Sequence, residues 1–138
     1  MLLLKNKGRV RSFLKNMNSK QFLTWIGWIL LALGVLGFIW PNVGGSYLYF
    51  DSVENWAHTL LGVVALVIAY GVRDTQTLKW VTTVYGVIAL VIGVWGFLVA
   101  SNPEPNFYNI ANLENPLDNL VHLVIGVWGL WAAWWGGE

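Results

Sequence analysis

Four apolar blocks, each about as long as a bilayer core is thick, constrain this sequence more than any other feature. They run over residues 22–40, 53–72, 78–100 and 117–135. A helix needs about 20 predominantly apolar residues to cross a hydrocarbon core of about 30 Å. The first block is uncharged, and charge in the others is confined to the first turn, at Glu54, Lys79 and Asp118. The sequence therefore predicts an all-α polytopic membrane protein with four transmembrane helices.

Composition and motifs argue against enzymatic chemistry. Charged residues make up 11% of the chain and hydrophobic residues 57%, whereas a soluble domain carries about 25% charged residues. The absence of cysteine excludes disulfides, thiolate metal sites and a cysteine nucleophile. The chain has no nucleotide-binding loop and no Ser-His-Asp set that the topology would assemble. We therefore predict no catalytic residue, no metal site and no nucleic-acid partner.

Basic residues are distributed asymmetrically along the chain. Six precede the first block, and Arg73 and Lys79 lie where the second block passes into the third, whereas the loops 41–52 and 101–116 contain no lysine or arginine. The positive-inside rule then places both termini in the cytoplasm. The expected location is the bacterial cytoplasmic membrane or an internal photosynthetic membrane. The predicted divisions are a basic tail (1–21), two hairpins (22–72 and 78–135) and a cytoplasmic linker (73–77).

The basic tail has two interpretations. It lacks the small-residue cleavage site of a secretory signal, so the first span is expected to be retained. Apolar residues recur in it at helical spacing, which suits a helix lying on an anionic membrane surface; they are Val10, Phe13, Leu14 and Met17. A solvated tail that only sets the topology explains the same residues equally well.

The two hairpins match each other in sequence. A shift of 59 residues superposes the glycines of the first and third blocks, including Gly34 on Gly93 and Gly37 on Gly96. A shift of 64 superposes the second and fourth blocks, and it pairs Asn55 with Asn119, His58 with His122 and Gly62 with Gly126. Two duplicated hairpins in parallel orientation predict a pseudo-twofold axis along the membrane normal.

The matched helix starts suggest matched caps. Asp51 and Asn115 align as N-cap residues, and Pro116 would then occupy the first helical position. Glu54 and Asp118 follow three residues later, as in capping boxes.

Small residues form a stripe on each of these helices. Positions i, i+4, i+7 and i+11 share one helix face, and both stripes begin with the histidine, as His58-Gly62-Ala65-Ala69 and His122-Gly126-Gly129-Ala133. Membrane helices associate through close approach over small residues and through interhelical hydrogen bonds. We therefore expect packing roles for eight residues: Asn55, Gly62, Asn119, Gly126, Gly34, Gly37, Gly93 and Gly96.

His58 and His122 are the only histidines of the chain and leave three interpretations open. Each imidazole could hydrogen-bond across the bundle, for instance to the asparagine of the other repeat. The two could instead be axial ligands of a haem b or hold a chlorophyll-type pigment. A role in proton or solute conduction is the third, although the spans carry no charged residue near mid-membrane.

The repeated motif Asn-x-x-His-x-x-x-Gly, seen as Asn55-His58-Gly62 and Asn119-His122-Gly126, resembles a family of small bacterial membrane proteins classed only as a domain of unknown function. The resemblance covers residues 22–135 and implies a four-helix integral membrane protein without an assigned activity or cofactor. We therefore expect a non-enzymatic accessory or scaffolding subunit, in contact with the bilayer and with other membrane subunits or further copies of itself. The alternative is a haem- or chlorophyll-binding protein of electron transfer or light harvesting, with His58 and His122 as ligands.

Overall fold

Four long helices make up the part of the fold that the structure describes, as predicted. A computed structural model describes residues 7, 8, 10, 12, 17–42, 44, 45 and 49–137. The helices are α1 (Ser19–Ile39), α2 (Ser52–Gly71), α3 (Thr75–Leu98) and α4 (Leu117–Trp134). Each is long and apolar enough to cross a membrane. The all-α, four-span prediction is confirmed.

Polar caps determine where three of the helices begin. The Asn18 side chain accepts from the backbone N–H of Gln21 and starts α1, so this helix extends three residues into the predicted tail. Asp51 and Glu54 form the expected capping box of α2. Asp74 accepts from the backbone N–H of Thr77 at 2.8 Å, so α3 begins within the predicted linker.

The start of α4 differs from the prediction. Its N-cap is Pro116 rather than Asn115, without a side-chain cap. The Asn115 side chain accepts instead from Nδ2 of Asn119, at 3.3 Å. The Asp118 N–H donates to the backbone carbonyl of Glu114 at 3.1 Å. A main-chain oxygen therefore accepts the N–H that an Asn115 cap would have bound.

The helices pack as two pairs, α1 with α2 and α3 with α4. Helix α1 also contacts α3 and α4, which makes it the central helix of the bundle. Its residues Phe22, Leu23 and Ile26 are at most 1% exposed. The Phe22 ring packs edge-on against Trp128 of α4, with 4.9 Å between ring centroids.

The ends of the bundle differ in charge. We call the end at which α1 joins α2 and α3 joins α4 the acidic end, because of the described residues it carries Asp51, Glu104 and Glu114 and no lysine or arginine. The opposite end carries Lys20, Arg73 and Lys79 among the described residues. Of the apolar tail positions, Val10 is helical and exposed, whereas Phe13 and Leu14 lie outside the described residues.

Glycines form the seam within each pair. A Cβ on Gly62 of α2 would lie 2.6 Å from the backbone nitrogen of Leu31 and 2.9 Å from the carbonyl oxygen of Gly27, both in α1. Its counterpart Gly126 of α4 lies against α3 in the same way, where a Cβ would be 2.9 Å from the carbonyl oxygen of Gly86. Backbones therefore touch at both seams, as small residues permit in membrane helices.

Gly62→Ala should destabilise the fold, because the added methyl group meets backbone atoms that cannot rotate away. Overpacking of this kind costs about 1–3 kcal/mol. Gly71→Ala, in the last turn of the same helix, is the matched control, since nothing lies within 4 Å of its Cβ position. Thermal unfolding in detergent should show a lower midpoint for Gly62→Ala only, and equal midpoints would contradict a backbone-contact seam.

Candidate functional site: the polar cluster of the acidic end

Buried polar groups gather where the first turns of α2 and α4 meet the loop that precedes α4. Glu54, Glu114 and Asp118 each place one carboxylate oxygen within 4.8 Å of one oxygen of both others. Glu114 and Asp118 are each 8% exposed, and Glu54 is half-buried. We call these three residues the carboxylate cluster. They come from both hairpins, so neither hairpin forms the cluster alone.

The loop that contributes Glu114 is fixed by its own hydrogen bonds. The Asn106 side chain accepts from Leu113 N–H at 2.9 Å and donates to the Leu113 carbonyl at 3.1 Å. The Asn112 side chain donates to Oε1 of Glu114 at 3.2 Å. Its backbone N–H donates to Oδ2 of Asp51 at 3.0 Å. Asp51 therefore caps α2 with one oxygen and holds the loop of the second hairpin with the other.

The histidines lie beside the carboxylate cluster, one turn further into the bundle. Nδ1 of His122 donates to the backbone carbonyl of Asp118 at 2.9 Å and lies 3.0 Å from its Oδ1. His58 is close enough to His122, Asp118 and Asp51 to interact with them electrostatically. Nδ1 of His58 is buried and has no hydrogen-bond partner among the described residues.

Neither asparagine of the repeated motif serves as a partner for a histidine in the hydrogen bonds of the described residues. Asn55 donates to the carbonyl of Phe50 at 3.4 Å, and Asn119 donates to Asn115. Nδ1 of His122 bonds instead to the Asp118 carbonyl, one turn earlier in the same helix, so the asparagine of the other repeat is not its partner among these hydrogen bonds.

The eight predicted packing residues lie in the two seams. Gly34 faces the backbone of Asn55 and Thr59, and Gly93 faces the carbonyl of Asn119. Gly37 lies against the side chain of Asn55, and Gly96 lies against that of Asn119. The sequence shifts of 59 and 64 residues thus relate positions that make the same contact in the two hairpins.

The stripes of small residues below the histidines face the partner helix of their own hairpin rather than each other. Gly62 and Ala65 of α2 lie against α1, and Gly126 of α4 lies against α3. Gly129 contacts Gly86 of α3 and the Phe22 ring of α1. The positions beside which a macrocycle could approach the backbone are therefore already occupied by protein.

A cleft of about 730 Å³ opens at the surface of the acidic end and reaches one member of the carboxylate cluster, Glu114. Its lining includes Asp51, Glu114 and Asn112, together with Tyr49 and Glu104. Small solutes can therefore reach Glu114 from the aqueous side without crossing the bundle.

Burial, with the negative charges of Asp118 and Asp51, raises the pKa of Glu114 from its ordinary value of 4.5 to about 7, and the hydrogen bond from Asn112 opposes this shift. This carboxyl group therefore changes its charge in the neutral range.

The carboxylate cluster was not predicted, because Glu54 and Asp118 matched capping positions and Glu114 lies in the loop 101–116. A signal was available. The duplication places the first turns of α2 and α4 at the same end of the bundle, and no basic residue lies in the loops there to neutralise their acidic groups.

Comparisons of the chain with protein-family models, with curated proteins and with solved structures found no match.

Glu114→Gln should make stability less dependent on pH. Because the folded-state pKa is about 7 and the ordinary value is 4.5, the folded chain holds more protons than the unfolded chain between these pH values. Its free energy of unfolding therefore falls as pH rises from 4.5 to 7. Unfolding midpoints in detergent with a chelator should fall across this range, and by less in Glu114→Gln.

Glu104→Gln, which alters an exposed carboxylate of the same loop, should retain the wild-type dependence. The same pH dependence in wild type and in both variants would show that Glu114 does not titrate in this range.

Proposed function

We propose that this chain is a non-enzymatic integral membrane protein that serves as an accessory or scaffolding subunit of a larger membrane complex. In this proposal it belongs to the small bacterial four-helix proteins that its Asn-x-x-His-x-x-x-Gly motif resembles. Both termini lie in the cytoplasm of a bacterium, and the acidic end faces the opposite side. The charge difference between the two ends of the bundle supports this orientation.

The proposal rests on the difference between the interior of the bundle and its lateral surface. Within the bundle, seams of glycine and alanine bring backbones into contact and leave little side-chain chemistry at mid-membrane. On the lateral surface, only 22–33% of each span is buried inside the bundle. Large apolar side chains face outward on these helices, among them Val67, Val91 and Val124, which are 58–68% exposed. Lipid covers such a surface, and so does another membrane helix.

Site-specific photo-crosslinking in native membranes tests for a partner. A photoreactive side chain replaces Val67, Val91 or Val124 in turn, so that α2, α3 and α4 are each probed from the outward face. At least one position should yield a protein adduct of one fixed mass. The buried Ala69, which is 0% exposed, is the control position and should yield none. Adducts with lipid alone at all three outward positions would contradict a subunit role.

The packed stripes also favour the accessory role over tetrapyrrole binding. Purified wild-type protein in mild detergent should show no Soret or chlorophyll band, and His58→Ala and His122→Ala should leave the absorption spectrum unchanged. The reason is that α1 and α3 already pack against the glycines below the histidines, where a macrocycle would have to lie. A visible band in the wild type that either variant loses would establish the tetrapyrrole alternative instead.

A further inference from the structure

The carboxylate cluster brings three acidic groups together with few basic groups of the described residues beside them. Glu54, Glu114 and Asp118 approach one another within 4.8 Å. Neither loop of the acidic end contains lysine or arginine. Among the described residues, the His122 imidazole is a group able to carry positive charge beside the cluster, and its Nδ1 lies 3.0 Å from Oδ1 of Asp118. Carboxylates brought together away from bulk water need either a shared proton or a cation.

A second observation points to a missing ligand. Oδ2 of Asp118 is shielded from solvent and accepts no hydrogen bond from any described residue. Asp118 itself is only 8% exposed. Buried polar atoms almost always have a partner, so an orphaned carboxylate oxygen beside two other carboxylates calls for an explanation, and a bound ion is one. The other oxygen, Oδ1, is oriented by His122, so the side chain holds its free oxygen in a fixed position.

From this geometry we propose that Glu54, Glu114 and Asp118 bind a hard divalent cation of the size of Ca²⁺, which links the first hairpin to the second. The site is additional to the proposed accessory role and does not depend on it.

The spacing and chemistry of the oxygens favour Ca²⁺ over smaller or softer ions. Ca²⁺ binds oxygen at about 2.3–2.6 Å, so two of its ligands can lie about 5 Å apart. Mg²⁺ binds oxygen at about 2.0–2.1 Å, so two of its ligands can lie at most about 4.2 Å apart. The three oxygens lie within 4.8 Å of one another, so small side-chain movements bring them onto the larger ion, whose coordination geometry is also the more flexible. The ligands are carboxylates only, which suit hard ions rather than soft ones.

A cation can approach the cluster from the aqueous side, and hydrogen bonds orient two of its carboxylate ligands. The cleft that includes Asp51 and Glu114 in its lining provides an entry path, and water in it can supply the remaining ligands that Ca²⁺ requires. Asn112 orients Glu114 by donating to Oε1 at 3.2 Å, and His122 orients Asp118. Hydrogen bonds of this kind position metal ligands in proteins.

Calcium titration of the full chain in nanodiscs of zwitterionic lipid tests the site, with binding followed by calorimetry and stability by the unfolding midpoint. We expect a dissociation constant on the order of 10⁻⁴–10⁻³ M, which is the range of weak calcium sites in extracellular modules. Ca²⁺ should raise the unfolding midpoint of the wild type. Glu54→Gln and Glu114→Gln should each lose at least tenfold in affinity, and Glu104→Gln should bind as the wild type does.

The two glutamine variants should fold, because each removes a carboxylate that repels its neighbours, and in chelator their midpoints should equal or exceed that of the wild type. Three results would overturn the proposal. The first is no Ca²⁺ response up to about 10 mM, ten times the weak end of that range, which would leave protons as the neutralising species. The second is an equal response in the cluster variants and in Glu104→Gln. The third is tighter binding of Zn²⁺ that His122→Ala abolishes but Glu54→Gln does not, which would assign an imidazole site for a softer metal.

Discussion

Backbone contact between paired helices is the interaction on which the rest of this structure depends. In a bilayer no hydrophobic effect drives helices together, so van der Waals contact between well-fitting surfaces must hold them. Gly62 against Leu31 and Gly126 against Gly86 provide that fit in α2 and α4. Because these seams bring the helices so close, the polar first turns above them are positioned firmly as well.

The seams lie in the part of the bundle with few polar side chains, whereas the polar groups lie at the acidic end. Below the histidines, the facing positions are filled by glycine, alanine and the backbone of a neighbouring helix. At the acidic end, the helices meet loops instead, and polar groups from both hairpins come together there. Asp51 joins these two regions, since it caps α2 and accepts the backbone N–H of Asn112. Any ligand of the acidic end would therefore act on the contact between the hairpins.

Much of this fold could be predicted from the sequence because the bilayer imposes strong rules. Block length set the number of helices, and helix ends fell within a few residues of the predicted limits. The asparagine–glycine contacts were also foreseeable, since matching residues in two repeats implied matching surroundings. The start of α4 could not be predicted, because the backbone carbonyl of Glu114, rather than the Asn115 side chain, accepts the Asp118 N–H. Cap preferences describe side chains and do not account for main-chain oxygens supplied by a preceding loop.

The sequence by itself determined the number of helices, the pairing of small residues along two stripes and the charge difference between the ends. These properties follow from local composition and periodicity, which the membrane converts directly into structure. Only the tertiary structure decided that the stripes face α1 and α3, and that Glu54, Glu114 and Asp118 share one site. The three carboxylates are separated by as many as 64 residues in sequence. Their proximity depends on how two hairpins and a folded loop meet in space, which no local pattern records.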